Sequence, residues 1–298
     1  MSGAGAMALI GARRHAGRLG FLGLVLAYAV LVAVALATLA VDGDLSLGRN
    51  PLANLAKTAG EFARPSFLDV WFGDPQREYR SEDGTLLRVE DRRAVEAGFL
   101  RQLGAAAWTT FVIGTLGSLL GAVLALPLGV ATARNLGASR FFSLPAKAIL
   151  DATRSIHTLV FGLVLVGIVG LGPTAGILAI ALHSMGTYGK LYAEAIETLD
   201  MSAVEAVRAV GAGPAQVFFN GVWPAVLPQF VSAHLYIWEF NIRDSTVLGL
   251  IGAGGLGLLI TEATALFQWG RLATILLVVV ALVSAFDAVS RRIRKALL

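Results

Sequence analysis

Ionisable side chains are few in this chain, and many stand where water should be absent. Arg154, His183, Lys190, Glu194, His234, Glu239, Arg243, Asp244 and Asp287 fall within or at the edge of long apolar runs. A charge at membrane depth costs on the order of 2.5–3.5 kcal/mol on insertion scales, so such groups face a bundle interior or a polar path. Arg243 stands beside Asn241 and Asp244, with Glu239 one helical turn before it. Its planar guanidinium carries five donors and can meet a tetrahedral oxyanion through two parallel hydrogen bonds. Pairing with Glu239 or Asp244 would instead make it a gate or a structural latch. Arg154 and His157, three residues apart, form a second candidate point on a substrate path, although a lone histidine is commonly a packed polar group. Lys190 and Glu194, spaced by four, predict a mutual ion pair. The chain has no cysteine, no H-E-x-x-H pair, no EF-hand and no phosphate loop, so no catalytic residue, bound metal or cofactor of its own is expected.

Long helices in lipid must position these groups. The 298 residues are 56% hydrophobic and 15% charged, with a mean hydropathy of +0.72, which excludes an ordinary water-soluble domain. A net charge of +4 is concentrated beside apolar runs, where it sets topology and is not a nucleic-acid footprint. A spanning helix takes about 20 apolar residues. Six segments satisfy this, at 20–41, 103–133, 148–171, 174–196, 225–248 and 271–290. The first is too long for a signal-peptide core and reads as a retained span. Arg13, Arg14 and Arg18, then Arg134, Arg140 and Lys147, then Arg291, Arg292, Arg294 and Lys295 all fall on one side of six spans, so both termini are expected in the cytoplasm. The expected organisation is therefore a cytoplasmic N-terminus and first span at 1–41, an extracytoplasmic segment at 42–102 with a short interfacial helix near Phe67–Phe72, and a core at 103–298. The fold class is all-α, a multi-pass protein of the plasma membrane.

Within the second span Gly117, Gly121, Ala125 and Gly129 recur every four residues, a stripe that lets another backbone approach closely. Pro127 should kink this helix. The 197–224 connection is the longest on the cytoplasmic side, and it is ordered. Ser202 and Glu205 have the spacing of a capping box, and Gly211, Gly213 and Pro214 stop the helix that follows. Such an amphipathic loop is expected to dock another protein.

That loop resembles the coupling motif of permease subunits of bacterial ABC importers: Glu-Ala-Ala, three residues, Gly, nine residues, Ile, one residue, Leu-Pro. Here Glu205, Ala206, Gly211 and Pro224 keep letter and spacing, whereas Val207, Gly221 and Trp223 replace the second alanine, the isoleucine and the leucine. The run Asp151–Asp200 is similar to permeases of the phosphonate, phosphite and phosphate type, through Arg154-Ser155-Ile156, Gly170-Leu171-Gly172-Pro173 and Ala181-Leu182-His183. His157 departs from the proline usual there. "GAGGLG" at Gly252–Gly257 matches the same family and also the G-x-G-x-x-G spacing of dinucleotide folds, but no βαβ unit surrounds it. Its glycines are expected to break a helix beside a path.

The resemblance implies a type I importer permease of six transmembrane helices, working as a homodimer. It would pair with two ATP-binding-cassette subunits that bind ATP and Mg, and with an extracytoplasmic substrate-binding protein. Glu205, Ala206, Gly211 and Pro224 would couple to the ATPase. Arg154, His157, Glu239, Asn241 and Arg243 would line a substrate pathway or gate. The alternative is an ion-coupled secondary transporter of small anions relaying protons through Lys190, Glu194 and His183. It would show inverted repeats, and no internal repeat is evident.

Overall fold

A computed structural model describes residues 3–41, 50–72, 76–80, 85–136 and 139–297. Residues 42–49, 73–75 and 81–84 of the expected extracytoplasmic segment lie outside these, as do the side chains of Arg13, Arg14 and Arg18. The chain divides into two compact units, Met1–Lys57 and Thr58–Leu298. The first holds one long helix, α1 (Gly3–Val41), whose Phe21–Ala40 stretch is long and apolar enough to cross a membrane. Helix α2 (Pro51–Phe62) begins in this unit.

The second unit is built almost wholly of helices. After α3 (Phe67–Phe72), the short helix anticipated there, comes an antiparallel hairpin of β1 (Gln76–Arg80) and β2 (Leu86–Asp91). This hairpin is a local exception in a chain that is otherwise all-α as expected. Its register sets Gln76 opposite Asp91 and Arg77 opposite Glu90. Helix α4 (Arg92–Thr132) starts eleven residues before the expected second span. Asp91 explains the early start: its Oδ1 accepts from Arg93 N at 3.0 Å and Ala94 N at 3.3 Å, satisfying donors that an uncapped helix would leave bare. The helix runs undivided through Pro127.

A single third span was expected at 148–171; the chain instead forms two helices, α5 (Arg140–Ser155) and α6 (Thr158–Val169), bent by 94°. The break lies at Ile156 and His157, both in extended backbone, with the His157 Nδ1 capping α6 by accepting from Leu159 N at 3.2 Å. There follow α7 (Pro173–Glu197), α8 (Ser202–Ala209), α9 (Pro214–Val217), α10 (Trp223–Leu248), α11 (Leu256–Ala265) and α12 (Trp269–Leu297). Single π-helical turns, Phe218–Val222 and Gly249–Ala253, bracket α10.

Among the described residues three helices qualify singly as membrane spans, in α1, α4 and α12, and two bent pairs raise the number to at most five. Helix α7 does not qualify, and its position explains why. It is the central helix, packed by α4, α5, α6 and α10. Small and polar residues therefore replace the lipid-facing ones. Gly117, Gly121 and Gly129 of α4 lie directly on it. A Cβ built on Gly117 would stand 2.7 Å from Ile180 Cβ, and those on Gly121 and Gly129 would stand 2.9 Å from the carbonyl oxygens of Ala181 and Gly189. Ala125, the fourth member of the stripe, is fully buried.

Candidate functional site

Two features converge on function: the loop between α7 and α10, and the charged groups along α5, α6, α10 and α12. The loop is tied to the bundle at its root, where Asn135 Nδ2 donates to Ile196 O at 2.6 Å and Arg134 N donates to Glu197 Oε1 at 3.0 Å. Ser202 and Glu205 do not form the expected capping box. Asp200 caps α8 instead, its Oδ1 accepting from Ser202 N at 3.0 Å. Ser202 is already the first helical residue, so the acceptor must come from further back. The Ser202 backbone hydrogen bond, helped by the Ser202 hydroxyl, holds the Asp200 carboxyl below its usual range.

Helix α8 turns Val204 into the core, where it is fully buried, and leaves Glu205 and Ala206 exposed. Gly211 has φ +80°, a left-handed conformation that favours glycine, and its N–H donates to Arg208 O at 2.9 Å to close the helix. The chain then reverses into α9, with Gln216 Oε1 accepting from Gly213 N at 2.9 Å. At the three positions that depart from the family pattern the packing is close. Gly221 is buried against α8, where a Cβ would stand 3.4 Å from Val204 Cα and 3.7 Å from Val207 Cγ2. Trp223 sits between Phe218 and Phe230, with ring centroids 6.2 and 6.0 Å away. Its neighbour Phe230 stacks on Tyr192 of α7 at 4.1 Å, so the loop joins an aromatic run that reaches into the bundle. Pro224 lies in the first turn of α10. Outward, the loop presents Val210 and Phe219, 83% and 63% exposed, beside Glu205 and Arg208. Behind it lies a cavity of about 500 Å³ lined mainly by Val130, Leu136, Val217, Phe218, Val222 and the Arg208 side chain.

The polar and charged groups along these helices differ in what holds them. Asn241 is buried and engaged: Ser184 Oγ donates to its Oδ1 at 3.0 Å, and its Nδ2 donates to Ser118 Oγ at 2.8 Å. It joins α4, α7 and α10 and faces no open space. Asp244 is held by Thr158 Oγ1 at 2.9 Å, and Lys190 pairs with Glu194 at 3.7 Å. His183 Nδ1 lies 2.8 Å from Ile156 O at the α5–α6 corner. Lys190 and Glu194 are themselves exposed, as are Arg154, 3.5 Å from Asp151, His157 at the same corner, and Arg243 on α10. His157 has φ −66°, the value a proline ring imposes. Arg243 Nη2 is 3.9 Å from Glu239 Oε1, and Asp244 does not pair with it among the described contacts. Arg294 of α12, which the sequence marks only as one of the basic residues that set topology, approaches the other oxygen of Glu239. Only the fold brings residues 239 and 294 together.

The "GAGGLG" run breaks the helix, as its glycines led one to expect. Gly252, Gly254 and Gly255 all have positive φ, and the helices on either side meet at 58°. The freed backbone groups find partners: Gly252 O accepts from Gly172 N at 3.0 Å, and Leu256 N donates to Thr110 Oγ1 at 2.8 Å.

The family described as binding-protein-dependent transport system inner membrane component matches residues 125–298. The putative phosphite transport system permease protein HtxC of Stutzerimonas stutzeri is 40% identical over 188 residues, covering 63% of this chain and 67% of that protein. The phosphate-import permease protein PhnE of Mycolicibacterium smegmatis is 36% identical over 192 residues, covering 64% of this chain and 36% of that protein. Among solved structures, the inward-facing MetNI methionine ABC transporter aligns with a TM-score of 0.61 at 24% identity, over 67% of this chain and 98% of that one. At that identity the likeness concerns the fold.

Proposed function

Because the chain belongs to the family of binding-protein-dependent transport system inner membrane components, we propose that it is the permease subunit of an ATP-binding-cassette importer for a phosphorus oxyanion: phosphonate, phosphite or phosphate. Two copies enclose the path. Each lends its Glu205–Pro224 loop to a separate ATPase subunit that holds ATP and Mg, and an extracytoplasmic binding protein delivers the anion. Both termini lie in the cytoplasm, and six segments cross the membrane when the enclosed α7 is counted with the three single and two bent spans.

The loop is the observation that supports this reading most. A left-handed glycine, a capped short helix and exposed Val210 and Phe219 form an ordered apolar surface on a connection that a self-sufficient transporter does not need. The aromatic run through Trp223, Phe230 and Tyr192 gives movement of the loop a stiff route into the bundle. ATP-driven closure of the ATPase pair then shifts the dimer between inward-open and outward-open packings. An ion-coupled transporter would need Lys190, Glu194 and His183 free to relay protons, whereas Lys190 and Glu194 engage one another and His183 engages the Ile156 carbonyl.

The test is ATP hydrolysis by the subunit reconstituted in liposomes with its ATPase and binding protein, challenged with phosphonate, phosphite, phosphate and methionine in turn. Stimulation by a phosphorus oxyanion supports the assignment. Stimulation by methionine alone would move the substrate to another class, and stimulation by none would count against the importer.

A further inference from the structure

The exposed face of α10 and of the π-helical turn that continues it is a stripe of Tyr236, Phe240, Arg243, Val247 and Leu250, spaced by three or four residues. Arg243 is its one charged member. Close by, α12 packs along α10 through Trp238 and Phe286, whose rings are 5.1 Å apart, and through Ser290 Oγ, which donates to Leu235 O at 3.3 Å. That packing delivers Arg294 to Glu239. The two oxygens of one carboxylate are thereby shared between two guanidiniums from two helices, Oε1 with Arg243 Nη2 and Oε2 with Arg294 Nη2, each at 3.9 Å.

These distances exceed the roughly 2.7–3.2 Å of a formed N–H···O bond, so Glu239 holds both arginines electrostatically without consuming their donors. Glu239 is 18% exposed, Arg294 28% and Arg243 53%, a gradient that opens toward Arg243. Phe240 lies under the Arg243 guanidinium, its ring centroid 5.4 Å from Cζ, and keeps that fork from collapsing onto the helix. The depth follows from α12. At 1.5 Å per residue Arg294 lies about 37 Å along the helix from Trp269, against a hydrocarbon thickness of about 30 Å. With Trp269 at one interface, Arg291, Arg292, Arg294 and Lys295 fall at the other, the inner one, while on α10 Glu239 stands about 24 Å along the helix from Trp223 at the root of the loop; the three-residue cluster thus lies at the inner end of the path, above the loop.

We propose that Glu239, Arg243 and Arg294 form an anion-exchange site at the inner mouth of the path: Glu239 occupies both arginines when no substrate is present and competes the departing phosphorus oxyanion off them. This rests on the importer reading above. The charge count favours such an exchange. One carboxylate neutralises one of two arginines, so a second anion is still attracted. A dianion can neutralise both, yet the tethered carboxylate is always at hand to replace it. A pair of arginines with no resident acid would bind the oxyanion more tightly and release it slowly, which a passage site must avoid.

The experiment uses the assembled permease–ATPase complex in lipid nanodiscs, without nucleotide or binding protein, and measures equilibrium binding of radiolabelled inorganic phosphate. Methylphosphonate and phosphite serve as competitors. The parent complex binds weakly, and Glu239→Gln binds about tenfold more tightly or better, because a neutral amide no longer competes for the guanidiniums. The double variant Glu239→Gln/Arg294→Ala returns to weak binding. In ATP-driven uptake, Glu239→Gln lowers kcat and KM together, which a merely structural change would not do. Phosphate binding by Glu239→Gln no tighter than the parent's overturns the proposal, and so does a double variant that binds as tightly as Glu239→Gln. Stimulation of the parent ATPase by loaded binding protein is measured on the same preparation. If it holds while Glu239→Gln is unchanged, only the exchange site falls; if it fails for every phosphorus oxyanion, the importer reading and the site fall together.

Discussion

Gly211 offers the cleanest perturbation of the loop, because its conformation and its surroundings make separate demands. Its φ of +80° lies in the left-handed region, yet a Cβ built there meets nothing within 4 Å. Any penalty is therefore conformational and not steric. An ordinary L-residue loses roughly 1–2 kcal/mol in that region, a β-branched residue more, and asparagine less. A loss of that size moves the turn equilibrium by about 5- to 30-fold. When φ turns negative the Gly211 N–H leaves Arg208 O, α8 loses its closing bond, and the surface around Val210 swings away from its partner. Gly211→Ala and Gly211→Val are therefore expected to weaken association with the ATPase subunit by about 5- to 30-fold, and Gly211→Asn by only a few-fold. Because the turn is exposed, the thermal midpoint of the membrane bundle should not move. Binding is measured on detergent-purified subunits, alongside substrate-stimulated ATP hydrolysis. Parental affinity for Gly211→Val would refute the docking role. An Asn variant as impaired as Val would show that space, and not φ, governs the turn.

Gly121→Val pushes a branched side chain against the Ala181 carbonyl and should destabilise the α4–α7 contact by about 1–3 kcal/mol, read as a lower melting temperature with unchanged substrate preference. Asn241→Leu leaves the Ser184 hydroxyl without its acceptor in the bundle interior, at a cost of about 1–3 kcal/mol; a variant of parental stability with altered substrate selectivity would instead put Asn241 on the path. His157→Pro matches the φ already present and gives up the cap on Leu159 N and the ring contact with His183, 6.3 Å between centroids, so uptake should persist; loss of uptake in a well-folded protein would assign the imidazole a role in transport.

Much of the molecule was legible in the linear pattern where local chemistry decides the outcome. The four-residue recurrence from Gly117 to Gly129 named the face of α4 that now lies on α7, because close helix contact in lipid needs small residues whatever the partner. The loop's Gly211 and Pro214 marked a stop that the backbone makes at those residues. The interruption of the third span was harder to see. Apolar content runs through residues 148–171, and hydropathy does not distinguish one continuous helix from two that meet at a right angle. The signal lay in His157, standing where the family has proline, a residue type that ends helices. The hairpin at Gln76–Asp91 was hidden because its strands are only five and six residues long and sit in a stretch dense in charges of both signs, which reads as a polar excursion. Arg294 was counted as a topology marker, since nothing in its neighbourhood hints at Glu239. Burial of α7 also lowered its hydropathy below that of a lipid-facing span, although it is the helix around which the others pack.

The central claim is that this chain is a path powered from outside itself through the Glu205–Pro224 loop. Its most direct test is uptake of radiolabelled phosphorus oxyanion into proteoliposomes holding the subunit, its ATPase and enclosed ATP, with binding protein added outside. The account predicts accumulation that needs all three proteins and hydrolysable ATP, survives a proton ionophore, and disappears with Gly211→Val. Accumulation by this chain alone, driven by a proton gradient and indifferent to ATP, would contradict it.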